Sequence, residues 1–549
     1  MPSFSSDTEK PKVSTSIQHI VTADSSVVER EQDSNGPRQT THRGLKSRHA
    51  QMIAIGGTIG TALFVSIGRG LHMGGPVFTW VAYLLFSGIV FGIITATTEM
   101  SSYLPVPGSS IAYYANRFYS PSLGFALGWM YWYTFMLAVP LEITAAAIVV
   151  EYWDTPVPLA AWITIFLVVV VALNCFPVKY YGEVEFWFAS IKVFGIIGLL
   201  IMAVILIFGG GPNHDMLGFR YWREDPVHEW IVAGDGGRLS GFVATVAWSV
   251  GPFAFAPELL VICGGEMANP RQNLPTAGRR YFYRLILFYI LGSLAISMIC
   301  DSNSPRLLGG GSGAAASPWA IAAKEAGIKG LDSVINAVIL TSAWSSGNAY
   351  LYLATRSLYS LAVSGNAPKI FAQCTRSGVP HYAMVLNIAF CFLAYMNIKS
   401  STSDVFYWFL TLGNTSAFQS WIAICVLYLQ FRKAVAAQGI DELPYRSRFQ
   451  PYLVWVSGSI LSVLLLVSGF GNFIPGNFNI SNFLVAYIGI PIFIALYLGH
   501  RFTLGRSDPW VMRPGDVDLI SGLAEIIAAE TMPTKGHERW YMLWKRVFA

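Results

Sequence analysis

Glu142, Lys192, Glu258 and Arg356 each stand inside an apolar stretch long enough to cross a bilayer. An ionisable side chain at the bilayer centre costs at least ~2.5–3.5 kcal/mol on insertion scales, so one that is kept there usually has a task. Glu142, in Pro140-Leu-Glu-Ile-Thr144, reads as a carboxylate that takes up a proton or faces an amine. Its alternative is a structural hydrogen bond to a neighbouring helix. Lys192, seven residues past Glu185, reads either as a reversible proton carrier or as a lysine whose stem snorkels to an interface. Glu258 follows a proline-rich interruption and reads as an electrostatic cap that shares in proton coupling. Arg356 reads as an ion-pair partner on the cytoplasmic side, and Glu99 as interfacial.

Two interruptions are expected to position these groups. Gly56-Gly57-Thr58-Ile59-Gly60-Thr61 puts three Gly and two β-branched Thr into six residues, which is poor helix chemistry. Broken backbone is tolerated in lipid only where it lines protein or a wet cavity. Its free N–H groups, at the start of the following half-helix, suit a carboxylate. The alternative is close helix packing through the Gly56-x-x-x-Gly60 pair. The second interruption, Trp248-Ser-Val-Gly251-Pro252-Phe253-Ala254-Phe255-Ala256-Pro257-Glu258, holds two prolines that remove backbone donors and leave carbonyls free for an ammonium group. A plain proline kink is the alternative. Paired interruptions in corresponding places of two halves mark a transporter with inverted repeats and a site at the midplane. Amides from one break and carbonyls from the other complement a zwitterion, hence an α-amino acid.

The composition demands a membrane. Hydrophobic residues make up 54% and charged residues 12%, with a mean hydropathy of +0.49; soluble domains carry about 25% charge. The net charge of +5 carries no nucleic-acid signature. Apolar runs of ~20 residues fall near 50–70, 76–100, 121–150, 159–176, 185–208, 240–262, 283–301, 333–361, 381–398, 405–431, 453–472 and 482–502, about twelve spans in an all-α chain. These runs are too long for barrel strands of ~10 residues. Lys and Arg favour one set of short loops about two to one, with Arg43, Lys46, Arg279, Arg280, Arg432 and Lys433 on the richer side, which predicts both termini in the cytoplasm. The sequon Asn479-Ile480-Ser481 then falls in the last outer loop. Residues 1–49 read as a disordered cytoplasmic tail without a cleavable signal, 50–502 as the transmembrane domain, and 503–549 as a second cytoplasmic tail. Within the latter, Asp516–Glu530 has the spacing of a short amphipathic helix. Lys10 and Lys12 are possible ubiquitin acceptors, so trafficking machinery is a potential partner of the tails.

No nucleotide-binding loop, zinc spacing or nucleophile elbow is present, and no cofactor is expected. Gly309-Gly-Gly-Ser-Gly313 lacks a flanking strand and reads as a linker. Six cysteines, four of them in apolar stretches, do not form a disulfide framework. An enzyme is therefore disfavoured against a transporter or a non-transporting nutrient sensor.

At the interruptions the chain also resembles the fungal amino-acid permeases of the amino acid–polyamine–organocation superfamily. The likeness runs from about Leu45 to Pro451. It is carried by Ile53–Thr61, by Glu99-Met-Ser-Ser-Tyr-Leu-Pro105-Val-Pro-Gly108, and by Gly265-Glu-Met-Ala-Asn-Pro270-Arg271 with Pro275. Asn336, Ser346-Gly347-Asn348 and Arg356-Ser-Leu-Tyr359, then Gly365-Asn-Ala-Pro368 and Leu443-Pro-Tyr-Arg446, follow in order. The chain departs from the family at Ala256-Pro257, where Gly and Thr or Ser are usual, and at Thr98, where a smaller residue is usual. The resemblance implies a LeuT-like fold, with helices 1–5 and 6–10 as inverted repeats, discontinuous helices 1 and 6, and two appended helices. It implies amino acid–proton symport at the plasma membrane, with a polyamine, choline or 4-aminobutyrate-type substrate as the alternative. Carried over, the backbone of Gly56, Gly57, Ile59 and Gly60 with Thr58 holds the carboxylate. Carbonyls around Ile55 and from Phe253, Ala254 and Ala256 hold the amine, and Phe255 forms a lid. Lys192 stands in for a cation between helices 1, 5 and 8, where Ser345 and Asn348 form the wall. By position, Ser346 is a further candidate there and Thr415 and Ser416 are candidates to face the substrate side chain, with ordinary interhelical hydrogen bonding as the alternative for each.

Overall fold

The computed structural model describes residues 60–105, 110–153, 156–176, 178–254, 257–258, 260–262, 269–305, 307, 317–375, 378–398 and 402–531. Among these every regular element is a helix, as the apolar run lengths require. The chain divides into two units, Thr41–Asp518 and a second made of Met1–Thr40 with Leu519–Ala549. In the second unit the described part contains one helix, Leu523–Thr531, within the stretch expected to be amphipathic.

In the first unit a short π-helical turn, Ala62–Ser66, leads into α1 (Ile67–Tyr103). This run breaks at Gly75, whose φ of 78° is open to glycine at no steric cost, and Pro76 follows. It thus joins the first two expected spans. Then come α2 (Ile111–Phe118), α3 (Pro121–Val150), α4 (Leu159–Cys175) and α5 (Val178–Ile207). Past the short α6 (Arg220–Glu224) lies α7 (Asp235–Trp248), which stops at the second expected interruption. Next are α8 (Pro270–Leu285), α9 (Leu291–Ile299), α10 (Pro318–Glu325) and α11 (Leu331–Val363). The series closes with α12 (His381–Cys391), α13 (Thr402–Ala437), α14 (Tyr452–Val467), α15 (Ile480–Tyr487) and α16 (Gly489–Phe502).

By length and composition, six described helical segments can cross a membrane, and a bent pair, α15 with α16, raises this to seven. Two shorter apolar helices, α4 and α14, add to them. The surface of α5 shows what surrounds the bundle. Trp187, Ile191, Phe194, Ile201, Val204 and Phe208 are exposed at helical spacing, while Glu185, Ala189, Lys192, Ile196 and Ala203 are buried on the opposite face. A helix with its large apolar side chains outward and its charges inward is solvated by lipid.

Helices α1, α3, α7, α11 and α13 form the centre. The pairing of α1 with α7 depends on small residues: a Cβ on Gly74 would stand 2.3 Å from Thr245 Oγ1, and one on Gly241 would stand 2.9 Å from the Met73 carbonyl. Thr245 Oγ1 donates across this seam to the Gly70 carbonyl at 3.2 Å. Small residues let helix backbones approach closely enough for dispersion and hydrogen bonds to hold them.

Beyond α16 the chain turns back as a strap. Gln430 Nε2 donates to the Met512 carbonyl at 2.6 Å, and Gln438 Nε2 to those of Pro514 at 3.1 Å and Val517 at 2.7 Å. Arg117 Nε donates to the Asp518 carbonyl at 2.7 Å, and Met512 N–H to that of Tyr119 at 2.8 Å.

Candidate functional site

The interruption of the α7 region is real and local. Helix ends at Trp248, a 3₁₀ turn spans Gly251–Phe253, and Ala254 is extended at ψ 142°. The residues at the centre of the first interruption, Ile55, Gly56, Gly57, Thr58 and Ile59, lie outside the described residues, as do Phe255 and Ala256. Gly60 and Thr61 mark its described edge.

The described edge of the first interruption and the second interruption border one small cavity of about 40 Å³. Gly60, Thr61 and Glu142 form one side of it, and Gly251, Pro252 and Ala254 another. Leu137, Ala138, Phe406, Phe409 and Leu410 supply an apolar wall, closed by Tyr350 and Asn414. Glu142 is buried on α3, and Thr61 Oγ1 donates to its Oε2 at 2.9 Å. Space alone does not require glycine at either of two positions beside Glu142. A Cβ on Gly60 would lie 3.4 Å from Glu142 Oε1, and one on Gly347 of α11 would lie 3.5 Å from Glu142 Cβ.

Beside this cavity α5 and α11 meet through a buried polar seam. Lys192 is fully buried and its Nζ donates to Ser346 Oγ at 3.1 Å. Glu185, also fully buried, accepts from Ser345 Oγ at 2.7 Å, and its Oε2 has no hydrogen-bond partner. The carboxylates of Glu185 and Glu142 both act electrostatically on the Lys192 ammonium. Consecutive serines of α11 therefore reach two opposite charges of α5. Snorkelling of Lys192 is excluded by its burial.

Other expected residues sit elsewhere. The Phe253 ring points away from the cavity into an aromatic cluster, stacked 4.7 Å from Tyr289 and 6.0 Å from Phe86. Glu258 is buried and accepts from Ser420 Oγ at 2.6 Å, with the Tyr131 hydroxyl bonded to Ser420. Asn348 accepts from Asn174 Nδ2 of α4 at 2.7 Å. Thr415 and Ser416 donate back to carbonyls of their own helix. Arg356 lies over the Tyr352 ring at 5.1 Å. Glu99 is buried within the bundle, 2.7 Å from Arg432 Nη1, with Tyr428 at 3.0 Å. Thr61, Glu185, Tyr350 and Asn414 join the site without having been singled out from sequence. Among the described residues no three His, Cys, Asp or Glu side chains converge as a metal would require.

A lipid-solvated helical bundle whose helix breaks after Trp248 and which holds a buried carboxylate at one small cavity belongs to the class of small-solute carriers. Comparison with known proteins narrows the class. The family profile described as amino acid permease matches residues 49–512, and the chain belongs to that family. It is 46% identical over 492 residues to a proline-specific permease of Emericella nidulans, covering 88% of this chain and 89% of the relative. It is 44% identical over 496 residues to a proline-specific permease of Saccharomyces cerevisiae, covering 88% of this chain and 79% of the relative. A dicarboxylic amino acid permease of Saccharomyces cerevisiae is 38% identical over 488 residues, covering 87% and 79%. The chain is thus a multi-pass membrane protein that imports amino acids, a permease and not an enzyme.

Proposed function

We propose that this permease imports proline and closely related neutral amino acids across the plasma membrane together with protons. The observation that carries the reading is the cavity bordered by Gly60 and Thr61, by the second interruption, by Glu142 and by an apolar wall. In this reading the carboxylate docks on amides of Gly56–Gly60 and the amine on carbonyls of Ile55 and Phe253–Ala256, beside Glu142. The wall of Leu137, Ala138, Phe406, Phe409 and Leu410 suits an uncharged, compact side chain. Identity favours the same substrate. The proline-specific relatives stand at 44–46%, and a lysine-specific permease of Saccharomyces cerevisiae at 35%.

The carrier has twelve spans, ten of them in a 5+5 inverted repeat, with both termini cytoplasmic and tails at 1–49 and 503–549. Glu142, Lys192 and Glu258 are the groups that hold the coupled proton, and Lys192, beside Ser345, Ser346 and Asn348, takes the place of a cation. Substrate and proton stabilise the occluded state together, which is what couples their movement.

The test is uptake by permease-deficient cells of labelled amino acids, competed by polyamines and choline, at two external pH values. The reading expects proline uptake that rises in acid and is lost in Lys192→Ala. Proline uptake that survives in that variant with its acid stimulation intact removes Lys192 from coupling. Uptake of a polyamine or choline in place of proline overturns the substrate assignment.

A further inference from the structure

Glu185 lies on α5 seven residues before Lys192, close to two full turns of an α-helix, so the two side chains share one face. Both are fully buried, and α5 packs on α11 there. With the N-terminus inside, α5 runs outward, which puts Glu185 about 10 Å to the cytoplasmic side of Lys192.

The seam between α5 and α11 is tight on one side of Lys192 and polar on the other. On the outer side the helices touch at Gly195, where a Cβ would stand 2.6 Å from Val338 Cγ1 of α11. On the inner side polar groups follow one another. Lys192 Nζ donates to Ser346 Oγ at 3.1 Å, and Ser345 Oγ donates to Glu185 Oε1 at 2.7 Å. One turn further along α11, Asn348 Oδ1 accepts at 2.7 Å from Asn174 Nδ2, which stands half-buried in the last turn of α4.

The Glu185 carboxylate has one oxygen to spare. Oε1 takes the bond from Ser345, and the buried Oε2 has no hydrogen-bond partner. A proton can settle on Oε2 without breaking a bond, and the carboxyl keeps Ser345. When charged, Glu185 acts on the Lys192 ammonium from the inner side, as Glu142 does from the cavity. The surroundings add little else that titrates. Glu183, two residues earlier, lies on the opposite side of α5. Of the described helices packed on α5, α4 and α9 contain no carboxyl, amine, guanidinium or imidazole, and on α11 Asp332 and Arg356 lie about three turns or more from Ser345.

We propose that Glu185 is the group that releases the coupled proton to the cytoplasm. Once the carrier opens inward, an N–H bond of the Lys192 ammonium breaks and an O–H bond forms at Glu185 Oε2. A neutral amine and a neutral acid replace two buried charges. Glu185 then gives the proton to cytoplasmic water, and the amine is recharged by the proton that Glu142 brings in with the next substrate. The proposal rests on the proton-coupled reading and the orientation given under the proposed function.

The experiment uses right-side-out plasma-membrane vesicles from permease-deficient cells that express the full chain. It compares net proline uptake driven by an inward proton gradient with exchange of internal for labelled external proline, in which no proton need leave the carrier. In Glu185→Gln net uptake falls about ten-fold or more, as when an acid–base group is removed, while exchange stays near normal. Glu185→Asp recovers part of the net uptake. In the unaltered chain net uptake falls as the vesicle interior is acidified. Ser345→Ala moves that response to a higher internal pH, because the bond it removes favours the charged carboxylate. Net uptake and exchange that fall together in Glu185→Gln, net uptake that survives in it, or an internal-pH response unmoved by Ser345→Ala each overturn the proposal and leave proton symport standing. Proline uptake by the unaltered chain that ignores the proton gradient overturns symport, and the proposal with it.

Discussion

Thr61 and Glu142, 81 residues apart in sequence, are joined by a 2.9 Å hydrogen bond at the wall of the central cavity. The edge of the first interruption is thereby tied to the acid of α3, so a ligand that engages one acts on the other. Thr61→Val keeps the shape and removes the donor. Hydrogen bonds to charged groups contribute about 1.5–3 kcal/mol, so kcat/KM for uptake should fall about 10- to 100-fold, with surface expression unchanged. Thr61→Ser should restore most of it. Unaltered kinetics in Thr61→Val would show that the bond is idle during transport.

Lys192 lies between two acids, and removing it leaves both buried without compensation. Breaking a buried charge arrangement from one side costs roughly 3–5 kcal/mol. Lys192→Met should therefore lower the thermal unfolding midpoint of the detergent-purified protein markedly. Adding Glu185→Gln to it should recover part of the loss. A double variant no more stable than the single one would mean that Glu185 is not the partner that matters.

The Glu99–Arg432 pair behaves as a structural clamp between α1 and α13. Glu99 also accepts from Tyr428 and from the Ser447 N–H, so Glu99→Ala strands three donors at once. Loss of folded protein at the cell surface is expected, with Glu99→Gln milder. Transport kinetics of the molecules that do reach the surface should stay near normal, because the pair does not border the central cavity.

At the α1–α7 seam, Gly74→Ala sets a methyl group against Thr245. Overpacking of this kind costs typically ~1–3 kcal/mol. Thr245→Ala alone loses the bond to Gly70, yet in combination with Gly74→Ala it should be more stable than the glycine variant by itself. A double-mutant cycle on thermal stability measures this; additive losses would place the strain elsewhere.

Part of this arrangement is legible in the sequence because lipid imposes simple rules. A lone Glu142 or Lys192 in an apolar run must face inward, and both do. Glu185 escapes the same logic because the hydropathy boundary falls on it and gives it an interfacial look. The helix in fact begins at Val178 and carries Glu185 about two turns inside. Arg69, stacked on the Tyr407 ring, is passed over for the mirror reason: the apolar run ends near residue 70, while helical structure continues to the break at Gly75. The ring of Phe253 is turned by a 3₁₀ step, which no apolar pattern announces. The pairing of Ser345 with Glu185, and of Ser346 with Lys192, depends on the register between α5 and α11, and spacing along one chain does not encode it.

The strap beyond α16 is gripped in large part through its backbone, with the Asp518 carboxylate paired to Arg117 at 3.1 Å, Trp510 packed on Tyr497 and Phe502, and Val517 buried as the side-chain anchors. Gln430, Gln438 and Arg117 read the carbonyls of Met512, Pro514, Val517 and Asp518, and Met512 offers its N–H to Tyr119. A peptide held by its main chain can change its side chains without losing its hold. Mutational drift should therefore be tolerated at strap positions other than Trp510, Val517 and Asp518, and poorly tolerated at the two glutamines and the arginine, far away in sequence, that keep it in place.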